Sequence, residues 1–285
     1  MIKTYFGKRL VYDTKKKICV YYQDRDKKWK FFTGENGFLL LLKCLKNMKK
    51  IHKVYLRKYQ INRKRGLSIY VDKKRHITWT EDDYRNPDFR FVYITFKCFQ
   101  RFTEMYSLLE RFSPCYSFEG KKINVLSIGC GPGFECYSFE KYASNSDVTF
   151  YGIDVIDEWS SDFEAHGKNY FFIGKNVLGN SKLRGVRKID FVILSNVFAN
   201  HMMNDDGFEI IRYLIVVRDA NFILVNDRSK KIEMADFCEK NNIFFYPLIS
   251  NNDHRQFFLS KHTFDLKHSA EIKHTFPNVP FIKKI

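Results

Sequence analysis

The second half of the chain reads as short apolar runs separated by stretches of helical spacing. Ile123–Ile128, Val148–Ile153, Tyr170–Ile173, Ile189–Leu194 and Ala220–Val225 are each four to six residues long, the length of a buried strand rather than a helix. The connections between them are long enough to hold helices, which makes the five strands parallel. One connection, Phe134–Tyr142, has Phe134, Tyr137 and Phe139 available to face a sheet. Two later runs, Ile243–Ile249 and Gln256–Ser260, are joined through Ser250-Asn251-Asn252-Asp253. That turn chemistry closes a hairpin, so the last pair is antiparallel. The pattern predicts an α/β fold with a Rossmann-like, mostly parallel sheet ending in a C-terminal antiparallel hairpin.

The first 80 residues are patterned differently. Ile2–Tyr12 and Ile18–Tyr22 alternate as strands around Asp13-Thr14-Lys15-Lys16-Lys17, and Trp29–Thr33 is a third candidate. Glu35–Lys49 carries Phe38, Leu41, Leu42, Leu45 and Met48 on one stripe, which predicts a helix. Lys43, Lys46, Lys49 and Lys50 lie off that stripe. Val54–Tyr59, Leu67–Val71 and His76–Trp79 read as further strands around a basic loop, Asn62–Gly66. Thr80–Asp88 reads as a polar linker and Phe89–Phe112 as a long amphipathic helix. The expected division is a small basic α+β module over residues 1–80 and a larger α/β domain over residues 81–285.

The strand Ile123–Ile128 empties into Gly129-Cys130-Gly131-Pro132-Gly133. Glycine lets a backbone turn sharply and approach a ligand without a Cβ in the way. A helix N-terminus follows, where exposed amides can meet a nucleotide-like ligand. The G-x-G-x-G spacing differs from the G-x-G-x-x-G of dinucleotide folds. Asp154 ends the second strand, 25 residues after Gly129, about where a carboxylate would hold a ribose diol. These residues resemble the first motif and the acidic strand end of the class I S-adenosylmethionine (SAM) methyltransferases. The resemblance covers roughly residues 120 to 262 and includes the terminal hairpin. It implies SAM as cofactor, with the backbone of Gly129, Gly131 and Gly133 against it and Asp154 on its ribose. It also implies Asn176, with Val177 beside it, at the adenine. One position departs from the family. An acid usually stands two residues before the first glycine and orders the amino-acid end of the cofactor, and this chain has Ser127. Serine carries no charge to meet an ammonium, so Glu135 or a residue of the N-terminal region would take over that role.

Charge adds a partner. The net charge is +17, and residues 1–80 hold 23 Lys and Arg against 5 Asp and Glu, whereas the remainder holds 26 against 27. A methyltransferase core needs no such excess for its cofactor. Lys and Arg displace condensed counterions from phosphates, so RNA is the expected partner, with a protein partner as the alternative. Tyr21, Tyr22, Trp29, Tyr55, Tyr59 and Tyr70 interleave with these cations, as stacking platforms for bases or as the core of a small module. A hydrophobic content of 45% argues against disorder. The seven cysteines are odd in number and form no C-x-x-C pair. That usage fits a reducing interior, cytoplasmic or nuclear, rather than a disulfide framework or a zinc site. The longest Leu-rich stretch, Phe38–Leu42, is too short to span a bilayer. No signal-peptide core precedes it, so no membrane association is expected.

Methyl transfer from a sulfonium mainly needs alignment of nucleophile and methyl group. The fourth strand runs into Ser195-Asn196-Val197-Phe198-Ala199-Asn200-His201. Ser195 and Asn196 could place a substrate by hydrogen bonds. His201 titrates in a range suited to a general base, or is a helix-face histidine. The Asn/Asp-Pro-Pro-aromatic motif of nitrogen methylation is absent, and Cys115, before the first strand, reads as structural. The expectation is a SAM-dependent methyltransferase, a transferase of the EC 2.1.1 type, acting on RNA gripped by the basic module. The rivals are a methyltransferase for a small molecule or protein, and a catalytically inactive fold that binds RNA or a partner.

Overall fold

The computed structural model describes residues 2–5, 8–15, 18–22, 28–31, 34–72, 79–174, 186, 188–198, 202–227, 235–249, 255–264 and 283–284. The chain forms two compact units, Met1–Ser107 with Thr275–Ile285, and Leu108–His274.

In the first unit, β1 (Ile2–Tyr5), β2 (Lys8–Asp13), β3 (Ile18–Tyr22) and β4 (Lys28–Phe31) form an antiparallel sheet in chain order. The run Ile2–Tyr12, which reads as one strand, is the β1–β2 pair, with Ile2 opposite Val11. Two residues from the far end of the chain, Lys283–Lys284, pair with β4. Helix α1 (Gly34–Lys58) outruns its expected end near Lys49. Its apolar stripe continues through Ile51, His52 and Tyr55, all buried, so Val54–Tyr59 is helical up to Lys58 rather than extended. Helix α2 (Arg63–Val71) replaces the strand expected over Leu67–Val71. The side-chain oxygen of Asn62 caps it by accepting the Arg65 N–H at 3.2 Å. Leu67 and Val71 stay exposed, so their spacing marks no buried sheet face.

The expected linker holds a short helix, α3 (Glu81–Arg85), because Thr80 and Asp83 form a reciprocal capping box. Helix α4 (Pro87–Phe112) opens with proline at its first position, where the missing N–H is harmless. Asn86 accepts from the N–H groups of Asp88 and Phe89 at 2.9 and 3.3 Å. Tyr55 is buried, and Tyr70 stacks on Phe96 with ring centroids 4.9 Å apart. These two aromatics therefore pack the module's interior rather than offer a face to bases. The side chains of Tyr21, Tyr22 and Trp29 and most of the expected strand His76–Trp79 lie outside the described residues.

The second unit follows the predicted pattern closely. β5 (Lys122–Ile128), β6 (Asp147–Ile153), β7 (Tyr170–Gly174), β8 (Phe191–Ser195) and β9 (Phe222–Asn226) are parallel. β10 (Phe244–Pro247) and β11 (Gln256–Ser260) form the antiparallel hairpin, with β11 against β9. The order across the sheet is β10-β11-β9-β8-β5-β6-β7. One face is lined by Phe191 and Phe222, packed on Phe112 of α4 and, at Phe191, on Phe139 of α5 (Phe134–Tyr142). The other carries Leu126, Val192, Leu194, Ile223 and Val225 against Ile211, Leu214 and Ile215. The latter three belong to α7 (Asp205–Arg212) and the π-turn that continues it. A short α6 (Ser160–Glu164) precedes β7, and α8 (Ala235–Lys240) precedes β10. Among the described residues, no helix is long and apolar enough to cross a membrane.

Candidate functional site

Strand β5 lies between β6 and β8, so chain order reverses beside it and leaves a crevice at the carboxyl ends of the strands. The loop leaving β5 has Gly129, Gly131 and Gly133 at φ +64°, +47° and +79°, the left-handed region that L side chains rarely adopt. The three glycines face different surroundings. A Cβ on Gly133 would meet Phe163 at 2.8 Å and His166 at 3.1 Å. On Gly129 it would meet a Val197 methyl at 3.1 Å, because the chain leaving β8 packs over it. On Gly131 it would find nothing within 4 Å. The open part of the loop is therefore at Gly131. His166 holds the loop from below: its Nε2 lies 2.6 Å from the Pro132 carbonyl, and its ring stacks on Tyr137 and Tyr170.

Asp154 follows β6 and turns toward this loop. One carboxylate oxygen accepts the Gly131 N–H at 2.8 Å and the other accepts the Ile156 N–H at 2.9 Å. A carboxylate offers about four acceptor sites, and the residue is only 8% exposed. The strand order, the Gly-x-Gly-x-Gly turn after the central strand and an acid bound to that turn now stand together. This is the fold of the class I SAM-dependent methyltransferases.

The other residues singled out in the sequence are distributed unevenly. Ser127 is buried and lies beside Cys136 of α5. Glu135 sits in the first turn of α5, also buried. Burial, reinforced by the Glu135 charge, pushes the Cys136 thiol well up, with the Ser127 hydroxyl opposing. Burial does the same to Cys130, helped by the charge of Asp154. Cys115 is pushed up to about 11 by burial. These thiols stay protonated near neutral pH, so none is an activated nucleophile. Asn176, Val177 and His201 lie outside the described residues.

Ser195 and Asn196 come together at the carboxyl end of β8. Asn196 has φ +57°, a conformation asparagine tolerates better than most residues. Its N–H bonds the Asn226 carbonyl at 2.7 Å. The Ser195 hydroxyl accepts the side-chain amides of Asn196 at 3.2 Å and Asn226 at 3.3 Å. Asn226 in turn accepts from Gln256 at 3.0 Å, and the Gln256 carbonyl accepts from Arg111 of α4. Gln256 and Asn226 are buried, so this chain of bonds fixes the orientation of Ser195 and Asn196 from within the sheet. Arg111, Asn226, Gln256, Val197 and His166 carry no motif and were not legible as site residues. A hollow of about 540 Å³, lined by Ser113, Tyr116, Tyr142 and Ser146 among others, lies at the amino edge of the sheet, away from this chemistry.

No protein-family model and no curated protein matches the chain. Solved structures similar to it include a cyclopropane-fatty-acyl-phospholipid synthase-like protein from Lactobacillus casei, at 10% identity and TM-score 0.42, covering 54% of this chain and 71% of that one. A SAM-dependent methyltransferase from Aquifex aeolicus is 17% identical with TM-score 0.36, covering 54% and 90%. The N-methyltransferase NodS from Bradyrhizobium japonicum is 13% identical with TM-score 0.37, covering 56% and 92%. The likenesses are distant, and the strand order carries the fold assignment without them.

Proposed function

We propose that this chain is a SAM-dependent methyltransferase acting on RNA, with the basic N-terminal module gripping the phosphate backbone. The supporting observation is the Asp154 carboxylate bound to the Gly131 amide at the switch point, beside the open face of the glycine loop. In this reading Asp154 takes the ribose, the backbone of Gly129 and Gly131 borders the cofactor, and Asn176 and Val177 lie at the adenine. Bound SAM supplies an electrophilic methyl group on a sulfonium. Ser195 and Asn196 hold the substrate by hydrogen bonds, and His201 takes the proton released as the new bond forms. RNA is favoured by the concentration of positive charge in residues 1–80.

The direct test incubates the full chain with methyl-tritiated SAM and total cellular RNA. Label should enter nuclease-sensitive material and fall steeply between 50 and 200 mM salt. Label appearing only in protein or small molecules overturns the RNA assignment. One observation favours a second reading, an inactive fold that binds RNA: Ser127 stands in place of the acid and is buried against Cys136. Absence of a calorimetric signal with S-adenosylhomocysteine, with RNA binding intact, selects that reading.

A further inference from the structure

Helix α1 presents Lys43, Lys46, Lys50, Lys53 and Arg57 at intervals of three, four, three and four residues. That spacing sets them in one row on one helix face, and all five are exposed. The opposite stripe, Phe38, Leu41, Leu45, Met48, Ile51 and Tyr55, is buried. At about 1.5 Å per residue the row is about 21 Å long, and over two heptads it drifts by only about 40° around the axis. No Asp or Glu occurs between Phe38 and Lys58.

A merely solvated helix face usually mixes signs. Here the neighbouring pairs 43/46, 46/50, 50/53 and 53/57 are all like-charged, an arrangement that disfavours a helix. A bound polyanion would relieve that repulsion. The shape of the row points to the kind of polyanion. Stable attachment to a lipid surface takes a second signal besides a basic row, such as an inserted apolar face, and the apolar face of α1 is already buried. A nucleic acid strand carries one phosphate per nucleotide, spaced a few ångströms apart, so about 21 Å of helix can face several phosphates of an RNA backbone.

We infer that the α1 row is an RNA-backbone binding surface, reading charge and not sequence. The inference deepens the proposed function and rests on its assignment of RNA to this unit. It is tested with the full chain and a fluorescein-labelled 20-nucleotide single-stranded RNA, by anisotropy between 50 and 200 mM KCl without SAM. Lys46→Gln, Lys50→Gln and Lys53→Gln are combined in one variant. Lys122→Gln, Lys168→Gln and Lys240→Gln, exposed lysines of the second unit, are combined in another with the same loss of charge.

The row variant should flatten the log–log salt dependence by about 2–3 units, at about 0.7–0.9 for each phosphate no longer neutralised. It should also weaken binding at least tenfold at 100 mM salt, while the control stays within twofold of the parent. Equal losses in both variants, or a loss in neither, overturn the inference. So does a row variant that loses binding to phosphatidylserine vesicles but keeps RNA. Urea unfolding should show the row variant no less stable than the parent, which keeps loss of binding separate from loss of fold. Binding of S-adenosylhomocysteine is measured in parallel: if it is absent while the row variant still loses RNA, the methyltransferase reading fails and the surface stands.

Discussion

Replacing Asp154 with alanine removes the acceptor shared by two backbone N–H groups, those of Gly131 and Ile156. Ile156 is 1% exposed, so its N–H has no ready replacement, and leaving it unpaired costs about 1–3 kcal/mol. Gly131 borders open space, where water can take over at a smaller penalty. The ligand-free protein should therefore lose about 2–3 kcal/mol of unfolding free energy. A ribose diol would lose a further pair of bonds to a charged group, about 1.5–3 kcal/mol, which corresponds to a roughly 10- to 150-fold weaker Kd. Urea unfolding followed by tryptophan fluorescence, to which buried Trp159 contributes, measures the first quantity. Titration calorimetry with S-adenosylhomocysteine, at a temperature where the variant is folded, measures the second. Asp154→Asn keeps one acceptor oxygen and should fall between the parent and alanine in both. A lost midpoint with unchanged affinity confines Asp154 to structure, and unchanged values in both assays refute the arrangement.

Three further outcomes follow from the same geometry. Gly131→Ala and Gly133→Ala both impose a side chain on a left-handed residue, about 1–2 kcal/mol each, but only the second also clashes. Thermal unfolding should rank Gly133→Ala clearly below Gly131→Ala, whereas calorimetry should show Gly131→Ala losing cofactor affinity at least tenfold; the reverse ranking contradicts the open-face assignment. Gln256→Leu leaves Asn226 and Arg111 without their shared partner and should lower stability by about 2–4 kcal/mol. Its methyl-transfer rate should fall while S-adenosylhomocysteine affinity stays within twofold, and an unchanged rate dismisses the positioning role. His52 is held down to about 3 by burial, with the Phe91 carbonyl opposing and Arg63 adding to the effect. Its neutral form is the native one, so its contribution is complete above about pH 6.5 and is lost as pH falls toward 3, by up to about 1.4 kcal/mol per unit. His52→Leu should flatten acid unfolding in that window, and an identical slope would show that the ring already reaches water.

Features carried by short-range spacing were readable in the chain alone. The run from Ile123 through Gly133 to the helix beyond, Asp154 after the next strand, and the short spacing between the last two apolar runs each encode a local geometry. Together they imposed the parallel sheet and its closing hairpin, because apolar run length and glycine freedom act within a few residues. The first unit was less legible. Val54–Tyr59 and Leu67–Val71 carry residues that suit either a helix or a strand, and the buried stripe through Ile51 and Tyr55 together with the Asn62 cap decided for helix. Tertiary structure alone decided which glycine stays open, since that depends on Val197, Phe163 and His166 arriving from other elements. It also decided the line from Arg111 through Gln256 and Asn226 to Ser195, whose links join residues 145, 30 and 31 positions apart. No periodicity connects such distant positions: strand order brings them within hydrogen-bond range, and burial then makes each bond obligatory.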